Sequence, residues 1–96
     1  MNERELYRQK MQAQLDEWKA EVDKLKAQVT GASADAQLEL NELIKSLEGK
    51  VEEGKAKLAE LANASEDMWE SIKAGVESTW DVITSAFSDA VAKFKK

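Results

Sequence analysis

The chain has no cysteine, no histidine and no proline, and only four glycines in 96 residues. Without cysteine there is no disulfide and no thiolate; without histidine there is no imidazole to act as base, nucleophile or metal ligand. Most catalytic constellations are removed at once. Serine and threonine remain, but no evident base stands ready to activate them. Adjacent acids at Glu52 and Glu53, and at Glu66 and Asp67, point about 100° apart on a helix and lack further oxygen ligands at loop spacing. They read as solvated surface, so no catalysis, no metal and no cofactor is expected. Basic excess is missing too: the formal net charge is -5 and the pI near 4.8, which argues against a nucleic-acid partner. No apolar run approaches the length of a bilayer span, and MNERELYRQK is charged from its third residue, unlike a signal peptide. Cytoplasmic residence is the default expectation.

What is present is the composition of a long helix or coiled coil, with 34% of residues charged and alanine, glutamate, lysine and leucine abundant. At this length the chain, 1–96, is a single domain. Its most ordered stretch is WESIKAGVEST, WDVITSAFSDA, VAKFKK, which repeats every eleven residues. Trp69, Trp80 and Val91 share one position, Ile72, Ile83 and Phe94 a second, Val76 and Phe87 a third. Eleven residues make three helical turns, so these side chains form one nearly straight apolar stripe. Opposite it lie Ser71, Ser78, Thr79, Thr84, Ser85 and Ser88. Such a helix packs on partner helices or lies on a lipid surface.

A different period governs the N-terminal part. Met11, Leu15, Trp18, Val22, Leu25 and Val29 alternate steps of four and three, the seam of a left-handed coiled coil. Acids three residues before bases, at Glu5 and Arg8, Asp16 and Lys19, Glu21 and Lys24, Asp23 and Lys26, are expected to pair along its solvated side.

Thr30 to Asp35 is either a turn or a continuation. Gly31 suits the left-handed residue that closes a helix, and Ser33 or Asp35 suits the next cap. Yet the stripe runs in phase through Val29, Ala32, Ala36 and Leu40. The middle segment continues with Leu40, Leu43, Leu47, Val51, Leu58 and Leu61, with Leu38 and Ile44 flanking. Gly54 falls on this stripe, where a missing side chain leaves room for a bulky ring from the opposite helix. Asn63 to Asp67 is the second break: Asn63 with Glu66 has the spacing of a capping box, Ser65 is the alternative cap, and Glu66, Asp67 and Glu70 complement the helix dipole. Lys93, Lys95 and Lys96 do so at the other end.

Three helical segments result, 2–30, 35–62 and 66–95. Their similar lengths predict an all-α fold, an antiparallel coiled-coil three-helix bundle. The alternative keeps 2–62 as one helix with the third folded back as a hairpin, which needs a second chain to cover its N-terminal seam. Tyr7, Trp18, Trp69 and Trp80 read as core before they read as a ligand-stacking set.

QLDEWKAEVDKL near the start and KLAELANASEDMWESIKAGVESTWDVITSAF near the end resemble the short bacterial coiled-coil stress-response proteins. The resemblance implies an induced, non-catalytic helical protein and supplies no binding residues. More weakly, the eleven-residue repeat with Lys73-Ala74-Gly75-Val76 is similar to lipid-associating and desiccation-protective helical repeats.

The sequence therefore predicts a non-enzymatic protein that acts by association with itself, as a homo-oligomer, or with another helical protein. The mechanism is seam packing of Leu15, Trp18, Val22, Leu25 and Val29 against the middle segment, closed by the third helix. The alternative is a peripheral membrane protein whose third helix lies on lipid through Trp69, Ile72, Val76, Trp80, Ile83, Phe87, Val91 and Phe94.

Overall fold

In the computed structural model, which describes residues 2–95, three helices follow one another: α1 (Glu3–Val29), α2 (Ala34–Ala62) and α3 (Glu66–Phe94). They run up, down and up in a rod of 51 × 21 × 18 Å. α2 lies against both neighbours along its length, whereas the backbones of α1 and α3 seldom approach each other. The bundle expected from three similar segments is present. A single helix over 2–62 is not adopted in the isolated chain.

Each helix starts where a short polar side chain can replace the missing turn. Asn2 accepts from the Glu5 N–H at 2.9 Å, and Ser33 from the Ala36 N–H at 3.4 Å. α1 ends without the left-handed residue expected of Gly31, since no glycine among the described residues has positive φ. The chain tightens instead, Gly31 and Ala32 N–H donating three residues back to Gln28 and Val29. The expected capping box at Asn63 does not form, because Asn63 belongs to the preceding helix. Its backbone N–H and its side-chain amide both donate to the Ala59 carbonyl, closing α2. Ser65 is the N-cap residue of α3 by position, with no side-chain hydrogen bond, and Glu66 and Asp67 occupy the first turn. Lys93 sits in the last turn; Lys96 lies outside the described residues.

The core is wholly apolar. Leu15, Leu25, Leu47, Leu61, Val76 and Ile83 are the largest side chains sealed from solvent, and burying each contributes about 2 kcal/mol. No polar or charged residue is buried among the described residues. In α2 the buried line runs Ile44, Leu47, Val51, Gly54, Leu58 and Leu61. Ile44, placed on the flank by the sequence reading, is inside, and Leu43 is only half-buried. The steps are thus four and three from Leu40 onward, a seven-residue seam that matches α1. Gly54 is the tightest point: a Cβ there would meet Ile83 Cδ1 and Leu15 Cδ2 at 3.0 Å and Trp80 Cη2 at 3.4 Å. The expected ring from the opposite helix is there, wedged between two aliphatic ends.

The charged pairs expected along α1 are not within 4 Å of each other among the described residues. Lys26 reaches across to Glu48 on α2 at 2.9 Å, and Asp16 accepts from Gln12. The Lys26 hydrogen bond to Glu48, reinforced by that carboxylate's charge, holds the ammonium above its usual pKa.

Candidate association surface

The stripe of α3 faces inward. Trp69, Val76, Trp80, Ile83 and Phe87 are buried, and Ile72 and Phe94 pack against the core from its edge. Val91 is half-buried, and its neighbour Ala90, absent from the eleven-residue pattern, is sealed. The inner face of α3 therefore follows Trp69, Val76, Ile83 and Ala90, seven residues apart, with Trp80 and Phe87 between and Phe94 beyond. An eleven-residue repeat is a seven plus a four, so from Val76 the two patterns coincide until Ala90 and Val91, where they separate.

On α1 the predicted seam residues Leu15, Val22, Leu25 and Val29 are buried, and Trp18 is half-covered. Trp18 stands between Trp80, at 5.7 Å between ring centres, and Phe87, at 5.8 Å and nearly parallel. Near the other end of the rod Tyr7 meets Trp69 edge-on at 6.2 Å. Tyr7 and Trp18 are eleven residues apart, as are Trp69 and Trp80. Two parallel helices in register therefore carry two aromatic rungs, and the rings hold the α1 and α3 backbones apart. Each ring pair is worth about 0.5 to 1.5 kcal/mol beyond its burial. In the sequence the Tyr7–Trp69 rung leaves only the shared eleven-residue spacing as its signal.

Charge closes the lower rung. The Arg4 guanidinium lies 4.7 Å from the Trp69 ring centre and the Lys73 ammonium 5.0 Å from that of Tyr7. The Tyr7 hydroxyl donates to Glu77 Oε1 at 3.3 Å. Partial burial, then the Glu77 charge and hydrogen bond, push the phenol up to about 12. By contrast, the indole N–H of Trp80 is buried with no acceptor.

Of the hydroxyl face, Ser71, Ser78, Thr84, Ser85 and Ser88 are exposed and Thr79 half-buried. Trp18, Phe87 and Val91 floor a shallow groove between α1 and α3, with Thr84, Ser88 and Lys95 on its rim. Among the described residues Leu6, Leu38, Met68 and Val82 are the large apolar side chains left more than half in solvent. Among the described residues no three acids gather closely enough to hold a metal ion, and no helix is long and apolar enough to cross a membrane.

A family model described as the TMP repeat matches residues 69–79 and 80–90, so the two units that open on Trp69 and Trp80 are similar to that repeat. No curated protein matches the chain, and no solved structure matches it. The likeness is confined to α3, whose repeated residues build the inner wall of the bundle.

Proposed function

We propose that this chain is a non-enzymatic helical module that acts by self-association, in a cytoplasmic, bacterial stress setting of the kind its N- and C-terminal segments resemble. One observation carries the self-association. The rod exposes 6375 Å² of surface, against about 5500 Å² for a compact monomer of its mass. The difference comes from the 51 × 21 × 18 Å rod shape, which leaves long helix flanks open to a second copy. Light scattering across a wide concentration range tests the idea. A mass rising above the monomer at micromolar concentration supports it; a constant 10.7 kDa rejects it.

A second reading is favoured by Trp80. Its unpartnered indole N–H would find acceptors at a lipid headgroup layer, where such rings settle with one end wet. The stripe is turned inward here, so lipid binding requires α3 to leave α2 and lose the seat at Gly54. A blue shift of Trp emission with neutral, highly curved vesicles supports this reading, and unchanged emission across lipid compositions removes it.

A further inference from the structure

We propose that the partner is a second copy and that it exchanges α1, with the turn at Thr30 to Ser33 as the hinge; this rests on the self-association reading above. In the opened form α1 and α2 join into one helix of about 60 residues. Two such helices lie antiparallel, and each α1 occupies, on the other copy, the place it now holds on its own.

Three observations support a hinge. First, apolar residues recur at helical spacing through the turn: Val29, Ala32, Ala36, Leu40 and Ile44 step by three, four, four and four, extra fours that a coiled coil absorbs by a local change of winding. A fused helix would lead the seam of α1 into that of α2 with a rotation of about 60° between them. Second, the turn stays close to helix. Thr30 has right-handed helical angles, Gly31 and Ala32 donate three residues back, and no described residue has positive φ. Ser33 is extended at φ -64° and ψ 162°, so its φ already suits a helix. Third, little holds the turn shut. The Ser33 cap is long at 3.4 Å, and one side-chain hydrogen bond spans the turn, from Gln37 to the Val29 carbonyl at 3.2 Å, an acceptor shared with the Ala32 N–H that the fused helix would bond to the Ser33 N–H.

Exchange conserves nearly everything else. α1 is antiparallel to α2 and parallel to α3 in the closed chain, and a pair of antiparallel fused helices reproduces both relations between chains. The core, the aromatic rungs and the Lys26–Glu48 pair re-form with the partner. The hinge then decides the balance, which is the condition under which swapping is least costly.

Two variants pull the hinge in opposite directions. Ala34→Pro suits the closed form: residue 34 is the first of α2, where proline is welcome, and Ser33 before it is already extended. In the middle of a fused helix the same proline removes a hydrogen bond and collides with the preceding turn. Gly31→Ala with Ser33→Ala favours fusion, removing a poor helix former and the cap. An alanine at 31 also fits the closed turn, its Cβ meeting only the Gln28 carbonyl at 3.9 Å. Each fused helix gains about fivefold from Gly31→Ala, so the dimerisation constant of the double variant rises at least tenfold.

Mass and shape are measured by light scattering with small-angle X-ray scattering, and circular dichroism checks that both variants stay helical. The expected result is a parent dimer about 90 Å long, the length of the fused helix, against 51 Å for the closed chain. Ala34→Pro should be monomeric and Gly31→Ala/Ser33→Ala more dimeric. A dimer of closed-chain length that persists in Ala34→Pro overturns the exchange and leaves self-association standing. A parent and double variant both monomeric at every concentration overturn both. Should Ala34→Pro lose its helicity, the double variant decides alone: an unchanged dimerisation constant rejects the hinge.

Discussion

Gly54 and the two other helical glycines present the same residue with opposite consequences. At Gly49 and Gly75 an added Cβ has nothing within 4 Å, so alanine brings only its better helix propensity, about 1 kcal/mol. At Gly54 the added methyl meets Leu15 and Ile83, both fully sealed and unable to withdraw freely. Overpacking costs about 1 to 3 kcal/mol, enough to reverse the gain. Gly49→Ala and Gly75→Ala should raise the urea midpoint and Gly54→Ala should lower it; a stabilised Gly54→Ala would show that the seat has slack. Tyr7 gives a second residue-level expectation. Its folded pKa, about 12, lies above the unfolded value of 10. A group raised in this way contributes its stability fully below pH 10 and loses it as the pH climbs through 12. As the chain has one tyrosine, tyrosinate absorbance reports this site alone. Its midpoint should fall toward 10 in Glu77→Gln, which removes the carboxylate charge, and unchanged titration would detach Tyr7 from Glu77.

At the scale of the helix, Ala90 and Val91 separate the two periods present in α3. An eleven-residue stripe puts Val91 inside, whereas the packed helix seals Ala90 and leaves Val91 half-covered. Ala90→Leu should therefore overpack and cost about 1 to 3 kcal/mol, while Val91→Ser costs under about 1 kcal/mol. Thermal unfolding of the pair decides between them, and the reverse order would restore the eleven-residue face. The same residues show why the sequence was legible only in part. The helices, the apolar stripes and the second break could be read because bulky residues recur at helical spacing and Asn, Ser and acids cluster between them. Ala90 was invisible because a small residue carries little pattern. Ile44 was misplaced for a related reason, since Leu43 beside it offers an equally apolar alternative and only the partner helices choose. Asn63 has the side chain to cap either neighbour, and the Ala59 carbonyl settles which. The Arg4, Tyr7, Lys73 and Glu77 cluster joins residues distant in sequence, which no local pattern announces.

For the whole molecule, the decisive property is that one core joins three helices through Trp80. A domain of this length is stabilised by roughly 5 to 14 kcal/mol. Trp80→Glu loses the ring packed on Trp18 and beside Gly54, about 3 to 5 kcal/mol, and leaves a carboxylate near Leu15 and Ile83 without a partner. Together these effects consume most of the stability, so urea unfolding should lose its cooperativity. Val82→Glu adds the same charge to the same helix at a site half in solvent and should shift stability by no more than about 0.5 kcal/mol. The contrast separates burial from added negative charge. If Trp80→Glu unfolds as steeply as the parent, Trp80 is not a core residue in solution, and the aromatic face of α3 is free for a surface or a lipid layer. If it unfolds without cooperativity while Val82→Glu is unaffected, the repeat on α3 acts first as the wall of the bundle. Association then has to proceed by exchanging whole helices or by their outer faces.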